Sequence, residues 1–145
     1  MNTSKNLSSG IINNRDNIVR MMSEFLEVKT ALVSQVEKPN IKVLKTNNQE
    51  MNPVSEGDTF VLEGHYCEKV ISEKEMLLIR SAYQESEWGN NPELKLNLVS
   101  YLGYPIFWPN GEVFGTICVM DYKERDFEHK HKNLVLEFHS KVVCY

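Results

Sequence analysis

Covalent chemistry in this chain would rest on thiols and imidazoles, so their spacing comes first. The three cysteines, Cys67, Cys118 and Cys144, include no closely spaced pair of the kind that builds a zinc or thioredoxin-like site, and three is an odd number for a disulfide framework. All lie among apolar neighbours, the setting of buried thiols that pack as small hydrophobes. A nucleophile also needs a positioned base and a third orienting group. Of the four histidines, His129, His131 and His139 fall in or near a charged run, and His65 stands two residues from Cys67, on another side of the helix expected there. No catalytic residue is assigned. Metal binding needs three or four converging ligands, and Glu128 with His129 and His131 is the only cluster. Its i, i+2 spacing suits a strand better than the helix expected there, so no metal site is assigned.

Non-covalent binding remains. A pocket combines apolar walls with a few polar groups that fix orientation, and the middle of the chain offers Arg80, Tyr83, Trp88, Tyr101 and Tyr104 as candidate ligand-binding residues. Arg80 is the only arginine between positions 21 and 124, and its planar fork suits a carboxylate or phosphate, or an ion pair with Glu85 or Glu87. Tyr83 and Trp88 could stack on a planar ligand or simply close the core beneath a loop.

These residues must be held by recognisable elements. Ile18, Met21, Met22, Phe25 and Val28 recur at helical spacing, with Asn14 or Asp16 as the cap. The β-branched run from Thr30 to Val36 is apolar on both faces and reads as a strand covered on both sides, followed by turn chemistry at Lys38-Pro39-Asn40 and a second strand, Ile41 to Leu44. Asn47 to Asp58 is a loop. Tyr66, Cys67, Val70 and Ile71 share one helical stripe, and Met76 to Ile79 reads as a short buried strand. Between Ser81 and Leu98 the pattern is irregular, yet Asn91-Pro92-Glu93 has the form of an N-cap followed by proline at the first helical position, which predicts one or two short helices. Two long strands, Val99 to Trp108 and Glu112 to Asp121, flank an Asn-Gly turn. Pro105 requires a bulge or an edge in the first, and Gly115 lets something pack closely on the second. Asp121 is expected to cap or turn the loop that follows. Leu134, Val135, Phe138, Val142 and Tyr145 predict a last helix running to the end of the chain without a stop signal, which suggests a polypeptide that continues. The order predicts an α+β fold, one antiparallel sheet with helices packed on its faces.

Composition narrows the function classes. A chain of 145 residues and 41% hydrophobic content has room for one domain that buries about two-thirds of its surface. Residues 51–121 carry eleven acids against four bases. An acidic middle argues against nucleic acid, which needs a basic footprint, and against a headgroup-binding surface. No apolar run approaches the roughly 20 residues of a membrane span, and the polar start lacks a signal-peptide core, so the expected location is cytoplasmic, with no membrane insertion.

In order along the chain, Gly57-Asp58-Thr59, Tyr66 to Ile71, Trp88-Gly89-Asn90-Asn91-Pro92, Ser100 to Ile106 and, most strongly, Gly111-Glu112-Val113-Phe114-Gly115-Thr116-Ile117-Cys118-Val119-Met120-Asp121 resemble the GAF domain family. The resemblance runs from about Ile18 to Val143. It implies a flexible tail over 1–14 and a single domain over 15–145, with a central sheet of five or six strands, terminal helices on one face and a small-molecule pocket under the irregular segment on the other. It further implies a sensory module of signal transduction, as in two-component systems. Such a module binds a small molecule, or dimerises through its terminal helices, to regulate a linked output domain such as a histidine kinase or diguanylate cyclase. The apolar stripes Ile18/Met22/Phe25 and Val135/Phe138/Val142 could serve both the core and a dimer interface. Some members reduce free methionine sulfoxide with clustered pocket cysteines, which are lacking here; that enzyme, like a passive dimerisation module, stands as the alternative. Bilin-binding members attach chromophore to a cysteine usually followed by histidine, a pair absent here, and the Asn-Lys…Phe…Asp-Glu signature of cyclic-nucleotide binders is not found. No cofactor is assigned; haem stays open, with His65 as the candidate ligand.

Overall fold

The computed structural model describes residues 17–48, 50–140 and 142. The expected tail, the Asn14 or Asp16 cap, Cys144 and Tyr145 lie outside the described residues. Helix α1 covers 17–26, and β1 (Thr30–Glu37) and β2 (Asn40–Thr46) form the first hairpin. There follow β3 (Thr59–Val61), α2 (Tyr66–Glu73), β4 (Leu77–Ile79) and three short 3₁₀ turns at Ala82–Gln84, Ser86–Trp88 and Pro92–Leu96. The chain continues with β5 (Ser100–Phe107), β6 (Val113–Asp121) and α3 (His129–His139). The strands form one antiparallel sheet in the order β3-β2-β1-β6-β5-β4.

This is the α+β architecture expected, with six strands. The sixth is β3, three residues of which only Phe60 is partly buried, so no periodicity marks it; pairing with β2 makes it a strand. The last helix is shorter than its apolar pattern. It stops at His139, and Val142, whose amide donates to the His139 carbonyl at 3.1 Å, is buried outside it.

Pro105 and Gly115 behave as their chemistry demands. β4 pairs with β5 only as far as Gly103, so the missing amide of Pro105 faces no ladder on that side. The β5–β6 register passes from Ile106↔Gly115 to Phe107↔Val113, leaving Phe114 as an extra residue in a bulge. At Gly115 the close neighbour is β1 itself, because a Cβ there would overlap the Ser34 carbonyl oxygen.

Alternation along the central strands divides the core in two. On one face Ala31, Val33, Leu102, Tyr104 and Ile117 meet Ile18, Met22 and Leu26 of α1 and Val135 and Phe138 of α3. On the other, Leu32, Val43, Tyr101, Cys118 and Met120 meet Tyr66 and Val70 of α2, Trp88 and Leu98. The terminal stripes are thus largely used inside the domain: Ile18, Met22, Val135, Phe138 and Val142 are buried, and Phe25, 62% exposed, is the exception.

One polar clasp joins the helix layer to the sheet. The Arg125 guanidinium donates to the Leu26 and Glu27 carbonyls at the end of α1 (2.7 and 3.1 Å) and to Asp121 Oδ2 (2.9 Å), with its carbon 5.5 Å from the Phe127 ring centroid. It satisfies two carbonyls that a helix end leaves free. Asp121 turns the loop as expected, its Oδ1 accepting the Tyr122 amide, and pairs with Arg125 as well.

Gly115→Ala is expected to lower the unfolding free energy by about 3 kcal/mol, since neither strand can move without breaking the central ladder. Urea denaturation followed by circular dichroism measures this, and an unchanged midpoint would show that β1 can shift.

Candidate functional site

The α2 face of the sheet holds a cavity of about 50 Å³. Its floor is the inward face of the middle strands, Leu32 and Ser34 of β1, Ile41 and Val43 of β2, and Thr116, Cys118 and Met120 of β6, with Tyr101 of β5. The remaining wall is Val54, Phe60, His65, Cys67, Glu93, Leu96 and Leu98.

Val54 lies on the loop that joins β2 to β3, and two asparagines fix that loop. Asn47 Oδ1 accepts the Ala31 amide (2.8 Å), and its Nδ2 donates to the Lys29 carbonyl (2.9 Å). Asn52 donates to the Asn47 carbonyl (2.8 Å) and accepts from Thr30 Oγ1 (3.0 Å) and the Val54 amide (3.1 Å). Opposite, the predicted cap forms: Asn91 Oδ1 accepts the Leu94 amide at 3.2 Å, and Pro92 opens the 3₁₀ turn. That turn delivers Glu93 into the interior.

Glu93 is the residue that sequence reasoning misses. Its Oε2 accepts the Tyr66 amide (3.0 Å) at the first turn of α2, which has no side-chain cap of its own. The same oxygen lies 3.1 Å from His65 Nδ1. Its Oε1 is buried without a hydrogen-bond partner, as is the Tyr101 hydroxyl. The Tyr101 ring lies along its own strand over Gly103, where a Cβ would overlap the hydroxyl. Ser34 and Thr116 satisfy one another across β1 and β6, their hydroxyls 2.7 Å apart.

Electrostatics follow from this burial. Desolvation first pushes Tyr66, Cys67, Tyr101 and Cys118 upward, Cys118 to about 12; the Glu93 charge adds next at Tyr66, Cys67 and Cys118, whereas at Tyr101 the two cysteines come before it. At Tyr66 a contact with Asn91 opposes the rise, and at Cys118 contacts with Tyr101 and Thr116 do so. Both cavity cysteines are therefore thiols at neutral pH, the form that is neither nucleophile nor metal ligand.

Of the five residues singled out in the sequence, only Tyr101 lines the cavity. Tyr104 lies on the opposite face in the α1/α3 core, its hydroxyl donating to the Lys132 carbonyl at 3.4 Å, because three residues along a strand reverse the side. Arg80 follows β4 with its side chain 65% exposed and its Nε 3.4 Å from Asp126, the acid it pairs with in place of Glu85 or Glu87. Tyr83 is exposed in the first 3₁₀ turn. Trp88 is buried edge-on against Tyr66, centroids 5.2 Å apart, and roofs the core. His65 and Cys67, expected to part company around a helix, face the same cavity because His65 precedes the helix as its N-cap. As a haem site the cavity is far too small, since ligand pockets for large groups run to hundreds of Å³. His131 instead completes the cap of α3, its Nδ1 accepting the Glu128 amide at 3.0 Å. Among the described residues no three histidine, cysteine or acidic side chains group as metal ligands, and no helix is long and apolar enough to cross a membrane.

An antiparallel sheet with terminal helices on one face and a small cavity on the other is the architecture of the GAF fold. The chain belongs to the GAF domain family, whose model matches residues 15–140. Solved structures with the same fold include the GAF domain of an Acinetobacter phosphoenolpyruvate-protein phosphotransferase, with a TM-score of 0.72 at 15% identity over 91% of this chain and 78% of that one. The blue-light-absorbing form of the Thermosynechococcus elongatus PixJ GAF domain has a TM-score of 0.72 at 13% identity over 93% and 82%. The chromophore-binding domain of the bacteriophytochrome RpBphP3 from R. palustris has 0.70 at 8% identity over 91% and 54%. A search of curated proteins finds no significant match to this chain.

These four acids hold protons in the folded state that the unfolded chain releases, so their contribution is complete below the ordinary thiol value of 9.0 and is lost as pH rises towards about 12. The urea midpoint is expected to fall steadily from pH 9 upward, and less steeply in Cys118→Ala. A midpoint that stays level to pH 11 would contradict the burial of these groups.

Proposed function

We propose that this GAF domain is a sensory input that binds a small molecule in the cavity between β1, β2, β6 and the 3₁₀ segment, and regulates a linked output domain through its terminal helices. The observation that carries this reading is the cavity itself: apolar walls around two buried polar atoms, Glu93 Oε1 and Tyr101 Oη, that no nitrogen or oxygen of the protein satisfies. Signalling requires a ligand that binds one arrangement of the domain more tightly than another. The strands that floor the cavity also support the helices, since Leu32 and Ser34 alternate with Ala31 and Val33, and Cys118 with Ile117 and Val119. The Arg125 clasp ties the end of β6 to the end of α1. Phe25 and Leu136, the exposed apolar residues of the two helices, are the surface on which a dimer or output domain would pack. The raised Cys67 and Cys118 thiols favour this reading over methionine sulfoxide reduction.

Small molecules screened by amide chemical-shift titration should perturb Leu32, Glu93, Tyr101 and Cys118. Val54→Phe, which fills the cavity from the loop side, should weaken any such binding at least tenfold while the domain stays folded. Perturbations confined to other surfaces, or turnover of free methionine sulfoxide that is lost in Cys118→Ser, would overturn the proposal.

A further inference from the structure

The chemistry of the ligand is narrowed by what the cavity already satisfies and what it does not. The Glu93 side chain is 8% exposed. Its Oε2 is taken by the Tyr66 amide and His65 Nδ1, whereas Oε1 has no partner and can only accept when the acid is ionised. Tyr101 Oη, which can accept or donate, has no nitrogen or oxygen partner and only the Cys118 thiol beside it. No lysine or arginine lines the cavity, so an anionic ligand would find only the His65 imidazole, already turned to Glu93. The Ser34 and Thr116 hydroxyls are turned to each other, and the rest of the lining is apolar or thiol. A buried carboxylate oxygen in such surroundings is best satisfied by a charged donor, because charge-assisted hydrogen bonds are about twice as strong as neutral ones and the pair removes an isolated charge.

Resting on the ligand-binding reading above, we infer that the cavity is selective for a small primary ammonium compound with a short hydrocarbon body. The ammonium donates to Glu93 Oε1 and Tyr101 Oη, and the hydrocarbon lies against Leu32, Val54, Leu98 and Met120. The volume sets the size. At 10–15 Å³ or more for each water-sized group, about 50 Å³ admits roughly three to five heavy atoms without movement of the walls. Arg80 has no part in this selection, as it points to Asp126 on the surface.

The test uses three probes of nearly equal size, propylammonium, 1-propanol and propionate, titrated into the full chain at pH 7.5 in amine-free buffer and followed by amide chemical shifts. Propylammonium should bind at least tenfold more tightly than 1-propanol, with propionate weakest. Glu93→Gln should bring propylammonium to the level of 1-propanol, and Tyr101→Phe should weaken it two- to fivefold. The ranking on the unmodified chain stands even if Glu93→Gln, which touches the first turn of α2, proves unstable. Propionate binding as tightly as propylammonium, or a folded Glu93→Gln that binds propylammonium unchanged, overturns the inference. Binding of 1-propanol without propylammonium overturns the ammonium selectivity and leaves the small-molecule reading standing. No perturbation of the cavity residues by any of the three overturns both.

Discussion

The whole arrangement depends on how closely two backbones approach. β1 runs so near β6 that the carbonyl of Ser34 occupies the space a side chain at position 115 would need. Every other layer is built outward from that pair. The Ser34–Thr116 hydroxyl contact beside it places a polar pair in the floor of the cavity, where the two groups satisfy each other and leave Tyr101 as the floor's unsatisfied oxygen. On the reverse side the same strands present Ala31, Val33, Ile117 and Val119, small and branched side chains that admit α1 and α3 at close range.

The parts of the fold that local chemistry controls were legible in the residues. The Asn-Gly turn joins β5 to β6 because few other dipeptides accept its geometry, and Asn91-Pro92 begins a turn because one residue caps and the next has its φ preset. The residues of the candidate site were harder to place, for different reasons. Tyr101 and Tyr104 both belong to a strand that the pattern identifies, and their odd spacing alone assigns them to opposite faces. Glu93 carries no such mark. Nothing nearby separates it from Glu85 or Glu87, and its role arises from Tyr66 and His65, 27 and 28 positions earlier in the chain, which only the packing of α2 brings to it. β3 was invisible for a similar reason, since its strand character comes from its neighbour.

Polar groups at the layer boundaries are used economically. Arg125 satisfies two helix-end carbonyls and a buried carboxylate with one side chain, and Glu93 serves both the amide that opens α2 and the interior beside it. In each case one ionised group reaches residues distant in sequence. These contacts fix orientation between elements more than they add net stability, because desolvation offsets much of the attraction of a buried charge.

The two asparagines of the β2–β3 loop have a consequence for traffic. Asn47 and Asn52 bind that segment to the start of β1 and the end of β2 through a connected set of amide hydrogen bonds, so it behaves as masonry although it has no regular secondary structure. The opposite wall is three successive 3₁₀ turns, the first two closed by single i→i+3 bonds and the third by a few more at its two ends. Partial opening costs least where few bonds break together. Local opening of the cavity wall therefore costs least on the 82–96 side, which carries Glu93.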